Sequence, residues 1–312
     1  MTTPVRYHPG EHAAQRRAGL RDQADIALRA IGTTIPPVAA AFIGEQPMLV
    51  LGAADPDGRM WASLLTGPPG FASAPDETTL DVAARPAPGD PLAAVLQSST
   101  PVGAIVIDPS TRRRMRLNGQ AEPTPSGLRI TADQVYANCP KYIQQRSPKV
   151  APQRRGAVSA TTTDFLTEDQ LRLVTRADTF FVATRSAAGD ADASHRGGNP
   201  GFVQVVGPRA LRWPDYIGNA MMMTLGNLQQ DPSAGLLFVD WRSGTTLQLT
   251  GRAQVDWEPS PDQRLPGAQR QLDFQLHSVV QLEHASPLEW TPPAYSRFNP
   301  PLPALVGGEG RS

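Results

Sequence analysis

The sequence predicts a mainly β protein with short helices, organised as two small antiparallel barrels in tandem. Three observations predict this. The apolar runs are short and closely spaced, and each is closed by Gly, Pro, Asp or Ser, which is the pattern of many short strands joined by turns. Helical patterns are too few to follow almost every strand, as a parallel sheet would require. Finally, residue types recur at an offset of 131 or 132 positions. Met48-Leu49-Val50 returns as Phe180-Phe181-Val182, Ser63 as Ser194, and Gly70-Phe71 as Gly201-Phe202. The run Gly103 to Asp108 returns as Gly235 to Asp240, and Gly119 as Gly251. An internal repeat of this kind reports a duplicated structural unit.

Composition agrees. The 312 residues are 40% hydrophobic and 19% charged, enough apolar content for ordinary cores. Twenty-nine basic residues balance 29 acidic ones, so no bulk attraction to nucleic acid or anionic membrane is expected. The single cysteine, Cys139, excludes an internal disulfide or a multi-cysteine metal site. Neither a signal-peptide core nor an apolar run of about 18 residues is present, so the expected location is the cytoplasm.

Residues 1–35 read as an N-terminal helical segment, with Ala13, Leu20, Ala24, Ala27, Leu28 and Ile31 at helical spacing and Gly32 as a stop. The first repeat, 36–146, opens with a short helix at 36–44. Strands follow at Met48–Ala53 and Trp61–Leu65, with a third at Thr79–Ala83. A short helix at Pro91–Gln97 precedes two longer strands, Val102–Ile107 and Arg112–Leu117, and 133–146 is expected to be a helix broken by Pro140. Residues 147–167 read as a linker that ends in the capping box Thr167-Glu168-Asp169-Gln170. The second repeat, 168–290, repeats the plan with a strand at Thr179–Thr184 and a glycine-rich polar stretch after it. The Pro-rich region from 257 onward, including the tail 291–312, is expected to wrap the surface.

Two clusters stand out chemically. Arg112, Arg114 and Arg116 share one face of their strand because side chains alternate, which makes either an anion site or a solvated strand. Ser194-His195-Arg196-Gly197-Gly198 offers a hydroxyl, an imidazole, a guanidinium and glycines that let backbone N–H groups approach an anion; otherwise it is a polar hairpin. Cys139, beside Lys141, is either a redox thiol or a small buried hydrophobe. Met221-Met222-Met223 reads as an adaptable packing surface. His277 and His284 have no cysteine or carboxylate cluster at metal-ligand spacing. Neither a glycine-rich dinucleotide fingerprint nor a P-loop is present.

On these residues the chain resembles the pyridoxamine 5′-phosphate oxidase-like, FMN-binding split-barrel superfamily. Tyr216-Ile217-Gly218-Asn219 stands where that family has an aromatic-Thr-Asn signature, and Leu225 to Gln230 at its short helix. Asp231-Pro232, Gly235-Leu236-Leu237-Phe238 and Thr246 to Gly251 complete the pattern. The resemblance covers roughly 168–256 well and 36–122 more faintly. It implies two tandem split barrels and a non-covalent FMN. The family's Ser-Arg-Lys after the signature is Met222-Met223-Thr224 here, and the basic residues of the preceding strand are replaced by Asn199 to Gln204. The phosphate role therefore moves to Ser194, His195 and Arg196, with Tyr216, Asn219 and Asn227 as further candidates. Family members place the flavin at a dimer interface. A tandem copy supplies that partner within one chain, so Arg114 and Arg116 are expected to reach the flavin. The implied function is FMN-dependent redox chemistry on an unidentified substrate, with NAD(P)H or a protein as electron donor and a homodimer left open. The alternative is a flavin or haem carrier, with His277 or His284 as haem ligand.

Overall fold

The structure is a computed structural model and describes residues 5–137, 139–149 and 156–302. The chain opens with α1 (Pro9–Arg17), α2 (Arg21–Leu28) and α3 (Pro37–Gly44). The first half then runs β1 (Met48–Ala54), β2 (Met60–Thr66), β3 (Ala72–Ser73), β4 (Thr79–Val82), α4 (Leu92–Val95), β5 (Thr100–Asp108), β6 (Arg113–Thr124) and β7 (Gly127–Ala137). The short strand β8 (Pro148–Lys149), the edge strand β9 (Ser159–Thr163) and α5 (Glu168–Arg176) lead into the second half. That half comprises β10 (Thr179–Arg185), β11 (Ala191–Gly197), β12 (Gln204–Gly207), β13 (Ala210–Asp215), α6 (Met223–Gln230), β14 (Ser233–Val239), β15 (Thr246–Asp256) and β16 (Arg270–Glu283). β17 (Glu289–Trp290) pairs with β8.

The two large sheets are antiparallel and share one strand order. The first runs β2-β1-β5-β6-β7-β4-β3, and the second runs β11-β10-β14-β15-β16-β13-β12. Equivalent strands also match in register: Leu51 faces Ser63 as Val182 faces Ser194, so Leu49-Val50-Leu51 are the equivalents of Phe180-Phe181-Val182, one residue along from the match read in the sequence. Both long hairpins shift register at the equivalent glycine, between Asn118 and Gly119 and between Thr250 and Gly251. Leu49 of β1, Leu80 of β4, Val106 of β5, Leu117 of β6 and Ile130 of β7 all belong to one buried cluster, so the first sheet curls around its own core. Phe180, Trp213, Phe238, Leu249 and Phe274 do the same in the second. The fold is therefore mainly β, of the split-barrel kind.

The halves pack face to face through a third apolar cluster. Met48, Val50, Ile105 and Ile107 of one half meet Phe181, Ala183, Leu237 and Val239 of the other. β1 and β10 are thus buried on both faces, which explains their continuous apolar runs. Each large side chain so buried contributes roughly 1.5–3 kcal/mol before the entropy cost of ordering it. Two equivalent glycines make the approach close enough. A Cβ on Gly103 would lie 2.5 Å from the Asp192 backbone, and one on Gly235 would lie 2.6 Å from the Met60 carbonyl oxygen.

Several expectations from the sequence change. The N-terminal helix is two helices, because Gly19 takes the left-handed conformation (φ 68°) between them. No helix forms at 133–146 among the described residues. Instead β7 runs to Ala137, its alternating Leu128, Ile130 and Ala132 turned into the core. The region after 257 is not a surface wrap throughout: β16, at 14 residues, lies inside the second sheet between β15 and β13. Residues 159–163 of the linker form β9 along β16. No described helix is long and apolar enough to cross a membrane.

The N-terminal helix α1 docks on α6 and buries Glu11, which is 5% exposed. Burial pushes its carboxyl up to about 8, against the pull of the His8 backbone N–H that it accepts from at 2.8 Å. The folded state therefore holds this proton more tightly than the unfolded chain. Stability from it is full below the ordinary value of 4.5 and falls as pH rises toward 8. Glu11→Gln keeps the acceptor and removes the titration. We expect the variant to gain about 3–5 kcal/mol over the native chain between pH 5 and pH 8 in urea unfolding. Parallel pH profiles for the two proteins would contradict this. Gly235→Val drives a side chain into the Met60 backbone and is expected to cost about 3 kcal/mol or more, read as a lowered urea midpoint.

Candidate functional site

Strand β11 carries the polar stretch, and strand alternation divides it. Asp192, Ser194 and Arg196 project to one side and His195 to the other, so the triplet is two groups rather than one. Ser194, His195 and Arg196 line a pocket with Arg114 and Arg116 of β6, Tyr142, and the loop Tyr216–Met222 that leads into α6. The pocket therefore draws walls from both halves of the chain.

The Arg114 guanidinium donates from Nη2 to the Cys139 carbonyl at 2.8 Å, and its Nη1 lies 3.0 Å from His195 Nδ1. Arginine can only donate, so Nδ1 is the acceptor and the imidazole proton sits on Nε2. His195 is 4% exposed and edge-on to Phe181. Burial, then the cations of Arg114 and Arg196, holds its pKa well below the usual histidine range. It is a neutral ring whose Nε2–H is buried without a partner. Burial and the neighbouring Arg116 and Arg196 cations push Arg114 down to about 9. Arg196 is lowered too, by burial first, and donates to the His195 carbonyl at 3.2 Å. Among the described residues neither Arg114 nor Arg196 pairs with a carboxylate, while Arg270, also lining the pocket, pairs with Asp215 at 2.9 Å.

Arg116 differs from Arg114. It forms a buried ion pair with Asp192, lies 4.9 Å from the centre of the Tyr136 ring, and shares Asp192 with the Tyr136 hydroxyl at 3.0 Å. Its charge is therefore balanced inside the protein, and it forms the pocket's wall. Asp192 had no place among the sequence candidates, although alternation along β11 puts it on the face of Ser194 and Arg196. Ser194 Oγ is 3.0 Å from Thr224 Oγ1, so Thr224 stands beside it at the start of α6.

The loop from Tyr216 closes the apolar side. The Tyr142 and Tyr216 rings pack 4.9 Å apart, and Tyr142 donates to the Ile217 carbonyl at 3.2 Å. Asn219 accepts the Met221 N–H at 3.2 Å and so shapes the turn. Tyr142, Ala220 and Met222 all have φ of 61–65°, a left-handed conformation that costs non-glycine residues energy and tends to be kept at sites that use it. Asn227 lies elsewhere. It bridges His8 and Thr184 on the other side of α6, at 2.9 and 3.0 Å, and does not line this pocket. Cys139, Lys141 and Tyr142 do line it, whereas His277 and His284 do not.

The equivalent position in the other half is closed. Ser63 stands where Ser194 does, followed by Leu64 and Leu65, while Thr246 and Gln248 occupy the places of Arg114 and Arg116. Gln248 donates to the Ala62 carbonyl, Ser63 and Asp90 at 2.9, 3.0 and 3.1 Å, and Ser63 donates to Asp90 at 2.6 Å. The Gln248 amide N–H groups and the Ser63 hydroxyl are thus spent within the cluster, while Gln248 Oε1 is buried without a partner among the described residues. In the open pocket the Nε atoms of Arg114, Arg116 and Arg196, His195 Nε2 and the Tyr216 hydroxyl are buried and unpartnered among the described residues. Unpaired donors of positive sign beside an aromatic and methionine wall fit an anion attached to a flat apolar group, as FMN is.

Residues 166–281 match the family model described as pyridoxamine 5′-phosphate oxidase, which agrees with the resemblance. No curated protein matches the sequence. Among solved structures, similarity extends to a Lactobacillus delbrueckii protein assigned to pyridoxamine 5′-phosphate oxidase, with 18% identity over 38% of this chain and 94% of that one and a TM-score of 0.32. An FMN-binding protein from Syntrophomonas wolfei is 10% identical over 36% of this chain and 84% of its own (TM-score 0.28). The haem storage protein HutZ from Vibrio cholerae is 12% identical over 35% and 90% (TM-score 0.26).

The two arginines should differ in what their removal costs. Arg116→Met leaves Asp192 buried and unpaired and is expected to cost about 3–5 kcal/mol. Arg114→Met removes a cation with no carboxylate partner and is expected to cost under about 1 kcal/mol. Urea unfolding at pH 7 without added ligand reads both, and equal losses would contradict the assignment.

Proposed function

We propose that this chain, whose residues 166–281 carry the pyridoxamine 5′-phosphate oxidase pattern, is an FMN-dependent oxidoreductase with one flavin site built by both halves of a single polypeptide. The observation that supports it most directly is the convergence of Arg114, Arg196 and the neutral His195 Nε2–H, unpaired with any carboxylate, on one pocket. Arg196 and Arg114 would hold the phosphate, with Ser194 beside them. The Tyr216 ring and Met221 to Leu225 would wall the isoalloxazine and keep water from it. When bound, FMN supplies the hydride or single-electron exchange, which is why the site needs no nucleophile or triad.

The chain's own residues bind and orient. Arg114 holds His195 in the tautomer that donates from Nε2, so the ring offers a hydrogen bond without adding a third charge. The loop held by Asn219 and the Tyr142 contact sets the distance between the two walls. The closed equivalent around Asp90 makes one flavin per chain the expected stoichiometry. NAD(P)H or a reduced protein is the proposed electron donor, and the cytoplasm the proposed location.

The visible spectrum of the purified protein tests this. Oxidised-flavin bands at one FMN per chain are expected, and both Arg114→Met and Arg196→Met should weaken FMN binding about 10–100-fold. A protein that binds neither FMN nor FAD, or that shows a Soret band instead, would overturn the reading.

A further inference from the structure

The Arg116–Asp192 pair also stands at the edge of a second groove, separate from the flavin pocket. This groove runs between the N-terminal segment ahead of α1, the hairpin of β6 and β7, and the start of β11. Acceptors in its polar wall include Asn118, Asp133, Gln134, Asp190 and Asp192, and Glu11 stands beside them as a neutral carboxyl near neutral pH. Arg6 and the His8 ring also line it, and burial lowers the His8 pKa so that the ring brings no charge near neutral pH.

Two of these acceptors are deeply buried and unused. Asp192 is 3% exposed and Asn118 is 9% exposed, yet Asp192 Oδ2 and Asn118 Oδ1 have no partner among the described residues. Their orientation is fixed. Asp192 spends Oδ1 on Arg116 and Tyr136, which leaves Oδ2 over. The Asn118 amide donates from Nδ2 to Gln134 Oε1 at 3.1 Å and lies 3.5 Å from Asp192 Oδ1, so a flipped amide would set its oxygen against two acceptors. The carboxylates also strain against one another: burial and then Asp190 raise Asp133. Buried acceptors without donors are costly unless something supplies the N–H.

We propose that this groove binds an organic ammonium ion, whose N–H groups bond Asp192 Oδ2 and Asn118 Oδ1 and whose charge is met by Asp190 and Asp133. The acceptors are strung along the groove rather than gathered at a point. Among the described residues no three His, Cys, Asp or Glu side chains converge to hold a metal ion. Spaced acceptors suit a polyatomic cation with several N–H donors, and an extended amine fits better than a compact ion. The site does not depend on the flavin assignment.

Calorimetric titration of the full chain with 1,4-diaminobutane and n-butylammonium tests this, with tetramethylammonium and Mg²⁺ as comparison cations. Saturable binding of one diamine per chain is expected, about tenfold or more tighter than tetramethylammonium, which has no N–H. Asn118→Leu and Asp190→Asn should each weaken it about fivefold or more, without change in flavin content. Neither residue touches the flavin pocket, so loss of diamine binding with intact flavin content separates the two sites. The proposal is overturned by any of three results: absence of saturable heat, tetramethylammonium binding equal to the diamine, or unaltered affinity in both variants. Displacement of the diamine by Mg²⁺ at comparable concentration would also overturn it, by giving the groove to a metal.

Discussion

Gly103 and Gly235 let each half's second strand cross the other half's sheet at backbone distance, and the rest of the molecule follows from that approach. With a side chain at either position the inter-half cluster of Met48, Val50, Ile105, Phe181 and Leu237 would not close. β6 of the first half would then stand too far from β11 for Arg114 to reach His195. The pocket has no existence within one half, because its unpaired cations come from two strands that belong to different copies.

The two copies keep one backbone plan and divide its chemistry. At one junction Arg116 crosses to Asp192 and Arg114 to His195, leaving donors over. At the other, Gln248 crosses to Ser63 and Asp90, and the crossing donor is a neutral amide. A neutral amide in place of a guanidinium, with one buried aspartate beside it, goes with packed core where the other half has an open pocket. The same physics governs Arg116, whose charge is met by Asp192 inside the protein, so that it walls the pocket without offering it a free cation. Charge that is balanced holds structure together, and charge that is left unbalanced is available to a ligand.

Most of the architecture could be read in the chain because its signals are local or periodic. Strand limits followed from apolar runs and turn residues, and the repeat offset carried one half's plan onto the other. The failures have physical causes as well. The stretch 133–146 has helix-permissive residues, but pairing of β7 with β6 and β4 overrides weak local propensity. β16 is hidden in a Pro-rich region because its polar residues face outward along a strand buried on one side. The site was legible as residue types only. Ser194, His195, Arg196, Tyr216, Asn219, Arg114 and Arg116 do meet at one pocket, whereas Asn227 holds α6 to α1 and β10.

By itself the sequence determined the class of fold, the recurrence of one strand plan, and which stretches carry polar groups between strands. It could do so because periodicity and offset are properties of the chain as written. Only the tertiary structure decided which charges are spent and which are free. Arg114 and Arg116 are two residues apart and alike in sequence, yet one meets Asp192 and the other a neutral histidine. That difference lies in partners 76 and 81 residues away, brought together by the packing of two sheets, and no local pattern records it.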